Sequence, residues 1–119
     1  MNNKITGNYG EDLAVKYLQK LGYKILNRNY RIRGGEIDIV AKDRETLVFV
    51  EVKTRYSHEF GDPAEAMTYF KMKALLKTAQ FYLMQFKLEN MPYRLDFISV
   101  DFSDDKDNPK IELLKNITS

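Results

Sequence analysis

The chain contains no cysteine, which excludes disulfide bonds and thiolate-held metals. Its single histidine, His58, is too little for a histidine-rich zinc site, and no role is assigned to it. No apolar run approaches the roughly 18 residues that a membrane span needs, and no signal-peptide pattern stands at the start. A cytoplasmic protein without a membrane partner is therefore expected. An excess of charge of one sign is missing too. The net charge is +2, too small to argue for nucleic acid by itself, so the local distribution of charge has to carry any such argument. What is present is ordinary for a globular protein: of 119 residues, 44% are apolar, enough for one domain, 1–119, with a core of its own. No internal repeat or linker divides it.

The most informative stretch is Gly35 to Arg55. Two apolar runs, Glu36 to Ala41 and Leu47 to Val52, are rich in Val, Ile and Phe and read as strands. Asp43-Arg44-Glu45-Thr46 between them reads as a four-residue turn. Alternation places Glu36, Asp38 and Val40 on one face, and Phe49, Glu51, Lys53 and Arg55 on one face of the second strand. The turn sets Asp38 opposite Glu51 and Glu36 opposite Lys53. Two facing carboxylates repel each other. A hard divalent cation with oxygen ligands, Mg²⁺ or Mn²⁺, makes the arrangement favourable. Lys53, two residues beyond Glu51, would then orient a water or offset charge on a phosphate, the layout of a metal-dependent phosphodiester hydrolase. A solvated hairpin with alternating charges would also show a Glu-x-Lys triplet. The aspartate thirteen residues upstream and the apolar flanks favour the site.

Before this hairpin, Met1 to Gly22 reads as a helix capped by Thr6 or Asn8 and ended by Gly22. Leu13, Ala14, Tyr17, Leu18 and Leu21 form its apolar stripe. Glu11 flanks the stripe, either as a first-turn acid favoured by the helix dipole or as a third acidic group reaching the site. Tyr23 to Tyr30 reads as a strand. Lys24, Arg28, Arg31 and Arg33 around it would either track a phosphate backbone or protect an edge strand. Gly34-Gly35 is a permissive turn.

After the hairpin, Tyr56 to Asp62 reads as a loop. Asp62 and Pro63 start a long helix that reaches about Phe86. Its buried face is Leu75, Leu76, Ala79, Tyr82, Leu83 and Phe86, with Lys73 and Lys77 pointing away. Lys71 lies on the margin, facing the cleft or snorkelling at the surface. Arg94 to Val100 is apolar on both faces and reads as a strand deep in the sheet. Asp96 within it needs an arginine or a backbone donor and reads as structural. Lys110 to Leu114 is an edge strand, and Asn116 to Ser119 a frayed tail. The order is αβββαββ, an α/β fold with a mixed sheet flanked by helices.

Gly10-Glu11, the run Gly35 to Ala41, the run Val50 to Arg55 and Phe60-Gly61 resemble the YraN-like family of small bacterial proteins. That family belongs to the restriction-endonuclease-like PD-(D/E)xK superfamily and is similar to Holliday junction resolvases. Here Ile37 stands where the motif has proline, a position that is not a ligand. The resemblance implies a restriction-endonuclease-like core, Asp38 and Glu51 as metal ligands, Lys53 as catalytic lysine and Glu11 as the helix-borne acid. The expectation is a Mg²⁺- or Mn²⁺-dependent DNA endonuclease for branched DNA. Asp38, Glu51 and a carbonyl at Val52 would hold the ion, and Arg28, Arg31, Arg33, Arg55 and Lys71 would grip the DNA. A branched substrate with paired cleavage sites suggests a homodimer. The alternatives are a nucleic-acid-binding module of the same fold with little or no catalysis, and an interaction protein in which Glu36, Asp38, Glu51 and Lys53 form only a surface ion-pair ladder.

Overall fold

A computed structural model describes residues 3–57 and 67–118, and the side chains of residues 3–8 lie outside that description. The elements are α1 (Asn3–Lys20), β1 (Lys24–Ile32), β2 (Gly35–Asp43), β3 (Thr46–Arg55), α2 (Tyr69–Gln85), β4 (Tyr93–Asp101) and β5 (Lys110–Leu114), the order expected from the sequence. The strands form one sheet in the order β1-β2-β3-β4-β5. β3 and β4 are parallel, and the other neighbours antiparallel. A parallel pair needs a long crossover, and α2 lies in it.

Each face of the sheet is covered by one helix. Ala14 and Leu18 of α1 pack with Ile39, Ala41, Val48, Val50, Ile98 and Val100. Leu75, Ala79, Tyr82 and Leu83 of α2 pack with Val40, Leu47, Phe49 and Leu95 on the other side. This double cover explains why β3 and β4 are apolar on successive residues rather than alternating. Contact is close where glycine allows it. A Cβ at Gly10 would lie 2.0 Å from Thr54 Oγ1, and one at Gly35 would lie 2.0 Å from Thr78 Oγ1. Gly35 thus serves helix-to-strand contact, while Gly34 alone takes the left-handed turn conformation, at φ +88°.

Several boundaries differ from expectation. α1 begins at Asn3, so neither Thr6 nor Asn8 caps it. Gly22 does end it, at φ +94°, with the Tyr23 amide reaching back to the Leu18 carbonyl at 3.0 Å. The hairpin turn is two residues, Arg44 and Glu45, because Asp43 and Thr46 are already paired. Arg44 takes φ +57° to close it. The expected helix start at Asp62 and Pro63, and His58, lie outside the described residues. Within them, α2 begins at Tyr69, capped by Thr68, whose hydroxyl accepts from the Lys71 amide at 3.2 Å. Phe86, expected in the core, is the C-cap and lies largely exposed. Thr78 is buried instead, its hydroxyl donating to the Ala74 carbonyl at 2.8 Å.

Asp96 is fully buried and has both kinds of partner anticipated for it. Arg94 Nε lies 3.1 and 3.3 Å from its two oxygens, and the Asn116 amide donates to it at 2.9 Å. The tail is consequently docked through Ile117, whose amide donates to the Leu95 carbonyl at 2.8 Å. The fraying expected of the tail does not occur at Asn116 and Ile117, because a buried carboxylate in need of donors holds the first and the Leu95 carbonyl the second.

Candidate metal centre

The centre forms where the β2–β3 hairpin comes apart. In a two-residue hairpin the closing pair is hydrogen-bonded, and so is every second pair after it. From Asp43–Thr46 this gives Ala41–Val48 and Ile39–Val50, and the next would be Ile37–Val52. The ladder instead stops at Ile39–Val50. β2 stays with β1 down to Gly35, and β3 stays with β4 up to Arg55. The Val52 amide that has lost its ladder partner donates to Asp38 Oδ2 at 2.8 Å.

β2 also rotates at this point. Ile39 and Ala41 pack toward α1, whereas Ile37 joins Val40 on the α2 side. The regular alternation that groups Glu36, Asp38 and Val40 on one face is interrupted here. Across β1 the residue facing Asp38 is Asn29, between the pairs Arg28–Ile39 and Tyr30–Ile37. Asn29 drops out of that ladder at φ +56°, a left-handed conformation that asparagine tolerates better than most side chains. Sequence reasoning passed over Asn29. Its residue type was the available signal.

The register carries Asp38 to Glu51, as the sequence suggested, and their carboxyls share a hydrogen bond. Burial pushes Glu51 up to about 7, Asp38's charge adds to the rise, and Lys71 opposes it. Burial likewise raises Asp38 to about 6, against the pull of the Val52 amide, with the charges of Glu11 and Glu36 adding to the rise. Burial is the first cause in both cases and favours the protonated forms, and the Lys71 charge only partly opposes it at Glu51.

Glu11 reaches this neighbourhood from α1, but not as a first-turn acid: the helix begins eight residues earlier, which removes the dipole explanation. It is 8% exposed. It accepts from Arg28 Nε at 3.1 Å and from Asn29 Nδ2 at 3.2 Å. Arg28 also donates to Asp12 at 2.7 Å. Lys53 is exposed and, two residues from Glu51, shares its face of β3. Among the described residues no three Asp, Glu or His side chains converge closely enough to hold one ion. The donor set is therefore two carboxyls and main chain. The Val52 carbonyl is placed on the same side, because a strand residue's N–H and C=O point to the same side and its N–H donates to Asp38.

The basic residues divide into two groups. Arg28 is held by Glu11 and Asp12. Arg55 is nearly buried, donates to the Ser57 carbonyl at 3.0 Å and lies 3.8 Å from Asp101. Both are engaged by partners within the protein. Arg31 lies exposed, 3.3 Å from Glu36 across the β1–β2 pair, so Glu36 pairs with Arg31 and not with Lys53. Arg33 and Lys71 are exposed, and Lys71 is near enough to Glu51 to favour its charged form.

Similarity to known proteins covers most of the chain. A UPF0102 protein of Clostridium botulinum (strain Hall) is 46% identical over 115 residues, covering 96% of this chain and 94% of its own. A UPF0102 protein of Caldicellulosiruptor saccharolyticus is 45% identical over 116 residues, covering 98% of both. One from Dehalococcoides mccartyi is 46% identical over 115 residues, 97% of this chain and 93% of its own. The family model described as "Uncharacterised protein family UPF0102" matches residues 10–100, a span that takes in Glu11, Asp38, Glu51 and Lys53. The chain belongs to the uncharacterised protein family UPF0102, the YraN-like proteins.

Proposed function

We propose that this chain is a divalent-metal-dependent DNA endonuclease of the PD-(D/E)xK type, acting on branched DNA. The observation that carries the reading is the Asp38–Glu51 pair, two half-buried carboxyls brought together where β2 and β3 part, each pushed up by burial and by neighbouring acids. Mg²⁺ is commonly bound through one or two carboxylates, waters and a substrate phosphate. Asp38, Glu51 and the Val52 carbonyl fit that requirement without a third acid. Such an ion, when bound, supplies Lewis-acid polarisation of the phosphodiester and a water of lowered pKa. Lys53 offsets charge on the scissile phosphate and orients the attacking water. Glu11 acts at one remove: it adds negative charge beside Asp38 and, through Arg28 and Asn29, fixes the part of β1 that faces it. Arg31, Arg33 and Lys71 contact the DNA backbone.

The test is incubation with a four-way junction, a plasmid and single strands in Mg²⁺ or Mn²⁺. Cleavage that disappears in both Asp38→Asn and Lys53→Ala supports the reading. Cleavage that persists in both belongs to a contaminant.

A second reading, a nucleic-acid-binding module with little or no catalysis, draws on the engagement of Glu11 by Arg28 and Asn29, which takes a third acid away from the centre. DNA binding without metal that weakens with salt, and no turnover with any divalent ion, would favour it.

A further inference from the structure

α2 carries lysines at 71, 73 and 77 and no acidic residue. Its exposed side is also unusually aromatic: Phe70 is 80% exposed, Tyr69 62%, Met84 58% and Phe81 44%. Successive helix residues are about 100° apart. Centred on the buried Leu75, Ala79, Tyr82 and Leu83, that spacing puts Phe70, Lys73, Lys77, Phe81 and Met84 on the solvent stripe. Lys71 and Thr78 lie on the edge of the helix turned toward β2 and the carboxyl pair. Phe70 and Phe81 occupy the shoulder next to that edge. Aromatic faces interleaved with lysines, without a carboxylate among them, complement a polyanion that offers flat apolar surfaces between its charges. A second copy of this chain fits badly, because two α2 helices face to face would bring lysine against lysine.

We infer that the α2 surface around Phe70, Lys73, Lys77 and Phe81 is a docking site for unpaired nucleotides, with a base stacked on Phe70 on the flank of the helix that turns toward Lys71. The inference rests on the proposed nuclease reading and deepens it. It names the substrate as DNA with bases out of the duplex next to the cleaved phosphate, as at junctions, flaps and gaps. Phe70 acts here as a specificity residue, while Lys71 links its surface to the centre.

The experiment measures binding of the full chain, in EDTA so that nothing is cleaved, to labelled single strand, gapped duplex and intact duplex of equal length. Wild type is expected to prefer the DNA with unpaired bases. Phe70→Ala should weaken that binding roughly 5- to 100-fold, leave binding to intact duplex unchanged, and leave the melting temperature and Mn²⁺ affinity as in wild type. Phe70→Trp should restore the preference. Equal affinity of wild type and Phe70→Ala for unpaired DNA overturns the inference. So does light scattering that finds a dimer which Phe70→Ala converts to monomer, or specific binding of an acidic peptide that displaces no DNA. Absence of binding to any DNA would sink the nuclease reading itself. DNA binding and cleavage that ignore Phe70 sink only this inference.

Discussion

Asp38 accepts the Val52 amide proton at 2.8 Å, a side chain taking the place of the ladder bond that the parting of β2 and β3 removes. The acid is thus fixed by the main chain of a neighbouring strand before any ion arrives.

Divalent cations are expected to stabilise the protein. Saturating Mn²⁺ should raise the melting temperature, by about 2.7 kcal/mol of stabilisation at a hundred times the dissociation constant, and Asp38→Asn should cancel the rise. Scanning calorimetry with and without metal decides this. A rise that survives the substitution places the ion elsewhere.

The pH dependence has a definite sign. Asp38 and Glu51 are raised in the folded chain to about 6 and about 7, above unfolded values near 4. The folded state therefore holds more protons than the unfolded state between roughly pH 4 and 7. The pair's contribution to stability is complete below that window and is lost as pH rises through it. Without metal, wild type should lose about 5 °C of melting temperature relative to Glu51→Gln across the window, the scale of a 1 kcal/mol change in a chain of this length. With metal, ion binding competes with the shared proton, so the metal-induced rise should grow with pH. A parallel course of the two proteins in metal-free buffer would contradict the shifts.

Arg28 and Arg33 are expected to behave differently. Arg28→Ala strips Glu11 of its charged partner and should lower stability by about 1.5–3 kcal/mol, with little change in how DNA affinity depends on salt. Arg33→Ala should leave stability alone and reduce the slope of log affinity against log salt by about one. Urea melts and salt titrations read the two effects independently.

Packing at Gly35 gives a test independent of function. Gly35→Ala would place a methyl group 2.0 Å from Thr78 Oγ1 and push α2 away from β2, a destabilisation of about 1–3 kcal/mol. Adding Thr78→Ala should recover part of that loss. A double-mutant cycle with no coupling would show that the helix does not bear on the strand there.

The sequence was most legible where a pattern is local and repeated. The apolar runs of β2 and β3 set the register that brings Asp38 to Glu51. That register survived an error in the turn, because counting four loop residues or two, closed by the Asp43–Thr46 pair, leaves every later pair unchanged. What stayed hidden depends on distant partners. Arg28 looked like a free cation until α1 supplied Glu11 and Asp12. Arg55 looked like another until its contacts with Ser57 and Asp101 withdrew it. The left-handed bend at Asn29 lies where Asp38 leaves the β1–β2 ladder, a relationship that no short window of sequence contains. The docked tail follows from the buried Asp96, twenty residues away.

Since β2 stays joined to β1 and β3 to β4 beyond the Ile39–Val50 pair, the sheet forks there after five paired positions between β2 and β3. At the fork Asp38 is tied to Val52 of the departing strand. The spacing of the acids is therefore set by where the strands part, and the proposed ion would have to match that spacing rather than reshape it.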